Sequence, residues 1–430
     1  MTIHVVKRGE SIWAISKKYG VSIAAINQVN GLPSTNKIVP GLALYIPESK
    51  LSLRTYQVKA GDFLWKIAQR FDTSVTSIVI ENPNVDPNAL YIGQRLNIPS
   101  PSRLRIASLG FIVPYSIETS LENLDRIAEQ LTYLAVVAYS LTDEGYAYVV
   151  LNDSDIITRS WQRNVIPLLM IRNFKDGEFS PELIGSVLEN PTYRNHLIDS
   201  LVQLAKQRGY GGVSIDFEFI PPERRDDFTL FLNNLKTKLG NLILQVNIHA
   251  KSKDLPTNRI VGGYDYRAIG NAVDLVAVMT IDYGYPTGPP DPIAPIWWVE
   301  QVLRYATTQI NPRKLLISIA LYGYDKVVGT NVTRALSVQG SQNQAISTGS
   351  IIEYDQIAQS PWYQYWRGTE KRIVWFEDIR SFIEKYNAID LYQLAGTTFW
   401  QINLSAPQNW AYVESNIEIL KDGRSHEYLL

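Results

Sequence analysis

The sequence predicts an α/β fold: a parallel (β/α)8 barrel with an α+β insertion after its seventh strand, preceded by two small βααβ units. Three observations predict it. The first hundred residues repeat at an offset of 52 positions. Beyond them, eight apolar runs alternate with helical stretches. The fourth run, Gly211-Gly212-Val213-Ser214-Ile215-Asp216-Phe217-Glu218-Phe219, ends on two acids. Strand side chains alternate faces, so Ser214, Asp216 and Glu218 point one way and their apolar neighbours the other.

The 430 residues suffice for two or three domains. With Lys+Arg at 41 and Asp+Glu at 42, there is no basic field to attract nucleic acid. Cysteine is absent, which excludes disulfides and thiolate metal sites. His4, His196, His249 and His426 lie far apart and form no ligand pair, so neither metal nor cofactor is expected. His249 follows an apolar strand and could line a pocket or stand as a rim histidine. No apolar stretch has the length of a membrane span, and residues 1–8 lack a secretory signal's apolar run. The 25 tyrosines and 10 tryptophans supply flat faces of the kind that pack on sugar rings.

In the repeat, Val6, Lys7, Gly9, Trp13, Ile26, Asn30, Gly41 and Pro47 return as Val58, Lys59, Gly61, Trp65, Ile78, Asn82, Gly93 and Pro99. Such repetition marks two copies of one unit. Each copy opens with a short strand (4–7, 56–59). A helix with apolar residues at helical spacing follows (Ile12, Ile15, Tyr19; Leu64, Ile67, Phe71). A second short helix (23–29, 75–80) and a closing strand (42–46, 95–98) complete it. The copies span 1–48 and 54–99, with a linker at 48–54 and a stiff polar hinge at Pro99-Ser100-Pro101-Ser102.

The remaining domain, 103–430, carries candidate strands at 104–113, 131–139, 165–171, 212–219, 242–248, 275–280, 315–321 and 395–399. Helices are strongest at 181–208, 223–239 and 378–386. Strands apolar on both faces, alternating with helices, argue for a parallel barrel. A polar segment from about 327 to 371 interrupts the pattern as an insertion. Active sites of such barrels sit at the C-terminal strand ends. Asp216 and Glu218 from strand four, Met279 through Tyr283 from strand six, Tyr322 from strand seven and Trp400 from strand eight converge there.

The two repeats resemble LysM domains, βααβ modules that bind N-acetylglucosamine-containing glycans. The resemblance rests on Val-Lys-x-Gly-[Glu/Asp], Trp13 and Trp65, Asn82-Pro83, and the Gly-to-Ile-Pro endings; the first copy has Asn30-Gly31 where Pro is usual. It implies glycan contacts at Gly9-Glu10-Ser11 with Asn30-Gly31, and at Gly61-Asp62-Phe63 with Asn82-Pro83. The same residues would otherwise serve as turns and caps.

The barrel resembles glycoside hydrolase family 18, whose strand-four motif Asp-x-x-Asp-x-Asp-x-Glu stands here as Gly211-x-x-Ser214-x-Asp216-x-Glu218. Met-x-Tyr-Asp becomes Met279-Thr280-Ile281-Asp282, and Tyr322-Gly323 and Trp400 match. The resemblance implies a TIM barrel and a retaining, substrate-assisted mechanism. In it Glu218 is the acid and Asp216 orients the substrate's 2-acetamido group. Trp400 is the floor under the sugar, and Asp282 and Tyr322 are hydrogen-bond partners. The family tyrosine is lost at Ile281, and Tyr283 could replace it if the strand bends. With Ser214 for Asp, Asp216 should ionise more readily than its counterparts.

Two such modules on such a barrel resemble the spore cortex-lytic N-acetylglucosaminidases. The implied partner is peptidoglycan or another N-acetylglucosamine glycan, with no membrane insertion. The implied location is the spore coat or cortex region, after synthesis in the cytoplasm without a signal peptide. A non-catalytic glycan-binding coat protein and a chitinase stay open as alternatives.

Overall fold

The structure, a computed structural model, describes residues 2–33, 37–47 and 52–422. The expected linker at 48–54 falls partly outside the described residues, as do His426 and the end of the third domain.

Eight parallel strands close a barrel. They are Leu104–Ile112, Tyr133–Leu141, Ile166–Arg172, Gly212–Asp216, Ile243–His249, Leu275–Met279, Leu315–Ala320 and Gly396–Trp400. Each pairs with the next, and the eighth returns to the first through Gly396 opposite Ala107. A Cβ on Gly396 would lie 1.8 Å from the Ala107 carbonyl oxygen, so only glycine lets the two strands meet. Val213, Ile215 and Phe217 point outward into the core beneath the helices. Leu168, Met170, Leu275, Ala277 and Leu316 point inward and fill the barrel.

The expected 181–208 helix is two helices, Pro181–Glu189 and Pro191–Arg208. Proline cannot continue a helix, so Pro191 starts the second one, where its missing N–H costs nothing. The Asn190 side chain caps the amides of Thr192 and Tyr193, and Gly209 in the left-handed region ends the helix. The helix expected at 378–386 runs longer, Ile379–Tyr392, and a last helix, Pro407–Asn416, follows strand eight.

The insertion is a five-stranded antiparallel sheet with a helix, Val338–Thr348. Its strands run from Tyr322–Val327 to Glu370–Trp375, against the 327–371 expected from the sequence. Tyr322–Val327 does not prolong strand seven; it pairs with Thr333–Ser337 on one side and Glu370–Trp375 on the other.

The two N-terminal repeats attach to the barrel differently. The second keeps its own core of Tyr56, Leu64, Ile67, Ile78 and Ile98. It docks through polar contacts: Arg54 makes two 2.9 Å hydrogen bonds to Asp390, and Arg95 reaches Glu300 at 2.7 Å. The expected hinge is no hinge at its start. Pro99 and Ser100 belong to the repeat's closing strand, Arg95–Ser100, and buried Ser100 donates to the Phe71 carbonyl at 3.0 Å.

The first repeat is fused to the rest. Ala43 and Tyr45 enter the core under the barrel helices. Val6, Ile12, Ile15, Ile26 and Leu44 form one cluster with Ile346, Ile352, Tyr363 and Phe376 of the insertion. Contact is backbone-close: a Cβ at Gly41, φ +83°, would fall 1.7 Å from the Ile352 carbonyl oxygen. Among the described residues no helix is long and apolar enough to cross a membrane.

Candidate active site

Strand four ends at Asp216, and Glu218 lies just beyond it on irregular backbone that turns at Phe219, φ 55°. Asn173, buried after strand three, fixes this turn from both sides. Its Oδ1 accepts from the Glu218 N–H at 2.8 Å and its Nδ2 donates to the Glu218 carbonyl at 2.9 Å. The Glu218 side chain is 18% exposed, and its Oε2 stands 3.3 Å from His249 Nε2. That is ion-pair range for a protonated ring, yet it is not aligned as a hydrogen bond, so the buried nitrogen has no hydrogen-bond partner.

Asp216 is 6% exposed. A line of side chains crosses from strand four to strand five and back to it. Ser214 Oγ donates to Gln245 Oε1 at 2.5 Å, Gln245 Nε2 to Asn247 Oδ1 at 2.8 Å, and Asn247 Nδ2 to Asp216 Oδ1 at 3.0 Å. Ser214 thus anchors the far end of an amide relay whose last donor is presented to the carboxylate. The Asp216 carboxyl is a weaker acid than an ordinary aspartate. Burial, and then the Glu218 charge, push its pKa up to about 7; the Asn247 hydrogen bond, Arg172 and His249 pull the other way.

Asp282 sits after strand six with φ 58°. Tyr322 Oη and Tyr324 Oη both donate to its Oδ1, at 2.6 and 2.9 Å. The residue as a whole is exposed, but its carboxylate is enclosed by these rings. Desolvation raises its pKa more than the two hydroxyls lower it. Trp400 closes strand eight, its ring 5.5 Å from Phe111, and packs against both the barrel interior and the cluster of Tyr322 and Tyr324. Met279 lies opposite His249 in register.

The structure therefore brings Glu218, Asp216, Met279, Asp282, Tyr322 and Trp400 to one mouth, while Ser214, expected at the substrate, is fully buried beneath it, level with Met170 and Gln245. Tyr283 is not with them. Its ring packs on Trp297 and Trp298 at 5.2 and 5.5 Å, because the left-handed turn at Asp282 sends it toward the helix Ile296–Gln309. Tyr324 joins the site where Tyr283 was expected. Sequence reasoning also passed over Arg172, Asn173, Gln245 and Asn247. Gln245-x-Asn247-x-His249 has the same alternation of polar residues as strand four and was the available signal.

In the repeats, Ser11 caps a helix through the Ala14 amide, and Glu10 and Asp62 close their turns on the Lys7 and Lys59 amides at 2.7 Å. Gly9 and Gly61 turn at φ +85° and +81°. The Asn30 and Asn82 side chains bridge the second helix to the closing strand: Asn30 reaches Ile26 and Tyr45, Asn82 reaches Ile78 and Asn97. In the first repeat the loop is covered. Gln342 and Gln339 donate to the Asn30 and Gly31 carbonyls at 2.8 Å, Gln408 binds Asn30 Oδ1 at 2.8 Å, and Pro407 packs on Gly31. The contact expected at Asn30-Gly31 is thus closed by the barrel and insertion. In the second repeat Phe63 and Pro83 are exposed.

A closed barrel with two acids at the end of strand four and a tryptophan at the end of strand eight defines a glycoside hydrolase mouth. Residues 172–404 match glycosyl hydrolases family 18, and 4–47 and 56–99 match the LysM domain. The chain belongs to family 18 and carries two LysM domains. Among its relatives, a cortical fragment-lytic enzyme of Bacillus anthracis is 32% identical over 98% of this chain and 99% of its own. A Bacillus subtilis protein named as a sporulation-specific glycosylase, YdhD, is 36% identical over 95% and 97%. The crystal structure of the Bacillus cereus spore cortex-lytic enzyme SleL superposes with a TM-score of 0.86 at 31% identity, covering 98% of this chain and 99% of that one.

Proposed function

We propose that this chain hydrolyses peptidoglycan of the spore cortex, cutting after N-acetylglucosamine with retention and with the substrate's own acetamide as nucleophile. The observation that carries the reading is the pairing of Glu218, at the open mouth, with Asp216, buried two residues before it and held by the Asn247 amide. A two-carboxylate displacement would need a second exposed acid; a buried, hydrogen-bonded one suits an internal nucleophile that needs orienting.

Glu218 protonates the bridging oxygen as the acetamido oxygen attacks the anomeric carbon, so the glycosidic bond breaks and an oxazolinium ion forms. Asp216 accepts the acetamide N–H and offsets the positive charge that develops. Glu218, now ionised, takes a proton from the incoming water, which opens the oxazolinium ring and restores the acid. Trp400 floors the sugar. The Tyr322 and Tyr324 hydroxyls and Asp282 form the polar wall in place of the tyrosine lost at 281.

The second LysM domain, with Gly61, Asp62, Phe63 and Pro83 at its surface, is the glycan-holding module. The relatives named for cortex lysis, similar along nearly the whole chain, support the substrate class. Release of reducing ends from cortex fragments by the wild type, and none by Glu218→Gln that still binds them, tests the reading. Equal release by the variant would refute the assigned acid.

A further inference from the structure

The polar line of strand five runs beside the acid line of strand four. Gln245 stands opposite Ser214 in the register of the two strands. Asn247 donates to Asp216 at 3.0 Å, and His249 brings Nε2 to 3.3 Å from Glu218 Oε2. Each of the two acids therefore has its own partner on the neighbouring strand.

The His249 ring is held in place. The residue's carbonyl accepts from the Tyr266 hydroxyl at 2.7 Å, and its ring packs 5.2 Å from Phe219 and 5.7 Å from Tyr264. Tyr264 is itself fixed, donating to the Phe217 carbonyl at 2.7 Å. Nε2 is buried without a hydrogen-bond partner, and among the described residues no group hydrogen-bonds the Glu218 carboxyl. A buried nitrogen that lacks a partner needs an explanation, and the nearest polar atom on offer is Glu218 Oε2. Hydrogen bonds among catalytic groups are often long or misaligned in a free enzyme and close when substrate binds.

Resting on the hydrolase reading above, we infer that His249 is a positioning residue: with its proton on Nε2, it donates to Glu218 Oε2 and aims Oε1 at the bridging oxygen. Oε1 carries the proton that is transferred. As the Oε1–H bond breaks and the proton bonds to the leaving oxygen, the electron pair stays on the carboxylate. The charge growing there strengthens the bond from His249. The ring keeps its own proton throughout and gives none to the substrate.

The test compares kcat/KM on two aryl β-glycosides of one cortex-type oligosaccharide ending in N-acetylglucosamine. Phenol leaves from the first and dinitrophenol from the second. Phenol needs a proton as it departs, whereas dinitrophenolate is stable without one. Because kcat/KM reports the steps up to aryl release, the later attack of water does not enter. His249→Leu and His249→Met, which fill the space without a donor, should each lose about tenfold to a hundredfold on the phenyl glycoside, the range of a hydrogen bond to a charged group. On the dinitrophenyl glycoside they should lose about threefold or less. His249→Gln, whose amide can donate to the same oxygen, should recover most of the phenyl rate. Glu218→Gln sets the scale, with the same pattern and a larger loss.

Equal losses on the two glycosides would mark a merely structural residue and overturn the inference. So would unchanged phenyl turnover in the Leu and Met variants, or a His249→Gln no better than they are. In each case a leaving-group-dependent loss in Glu218→Gln would keep the hydrolase reading standing. A Glu218→Gln that matches the wild type on the phenyl glycoside would overturn both.

Discussion

Asn247→Leu removes the amide that donates to Asp216 at 3.0 Å while keeping side-chain volume. A hydrogen bond to a charged group contributes ~1.5–3 kcal/mol, and one pKa unit corresponds to about 1.4 kcal/mol. Because this bond favours the ionised form, its loss raises the Asp216 pKa further, by ~1–2 units above the present value of about 7. Asp216 must be ionised to accept the acetamide N–H, so the acid limb of the rate profile moves to higher pH. At pH 7 the ionised fraction falls from about half to ~1–10%, and kcat/KM falls about fivefold to fiftyfold. The deficit should shrink as pH rises through the shifted value. The assay is kcat/KM against pH on a soluble N-acetylglucosamine oligosaccharide, variant beside wild type. A loss equal at every pH, or an unmoved acid limb, would refute the relay from Ser214 to Asp216.

Gln408→Ala should lower stability by about 3–5 kcal/mol, since it strips buried partners from Asn30 Oδ1, the Ala43 carbonyl and the Ile379 amide. Calorimetry should show the first LysM domain and the barrel melting together and shifting together; a separate early transition with the barrel unmoved would contradict the shared core. Glycan binding should depend on the second LysM domain. Phe63→Ala with Trp65→Ala, both exposed in the wild type, should weaken pull-down on insoluble cortex by tenfold or more, whereas Trp13→Ala changes it less than twofold. The reverse ranking would assign the binding to the first domain.

The barrel and the repeats were legible because their signals are local. Period-two alternation placed Ser214 and Asp216 on one face, and the 52-residue offset paired Asn30 with Asn82. The offset could not distinguish the surroundings of those two asparagines. Gln342 and Gln408, which cover the first, come from the insertion and the last helix, and nothing in residues 1–48 announces them. Tyr283 was misplaced because the face of a side chain after Asp282 depends on one left-handed residue that alternation does not register. The acidity of Asp216 is set by depth within the barrel and the Glu218 charge, which raise its pKa, against Asn247, Arg172 and His249 from two neighbouring strands, which lower it. A tripeptide cannot report any of these.

The Arg54 and Thr55 anchor points, Asp390 and Asn387, lie on the chain that leads into the start of strand eight. The second LysM domain therefore clings to the rim opposite the catalytic opening. If that module grips polymer, the enzyme is moored by its back. A strand gripped there is then free to be a different one from the strand in the cleft.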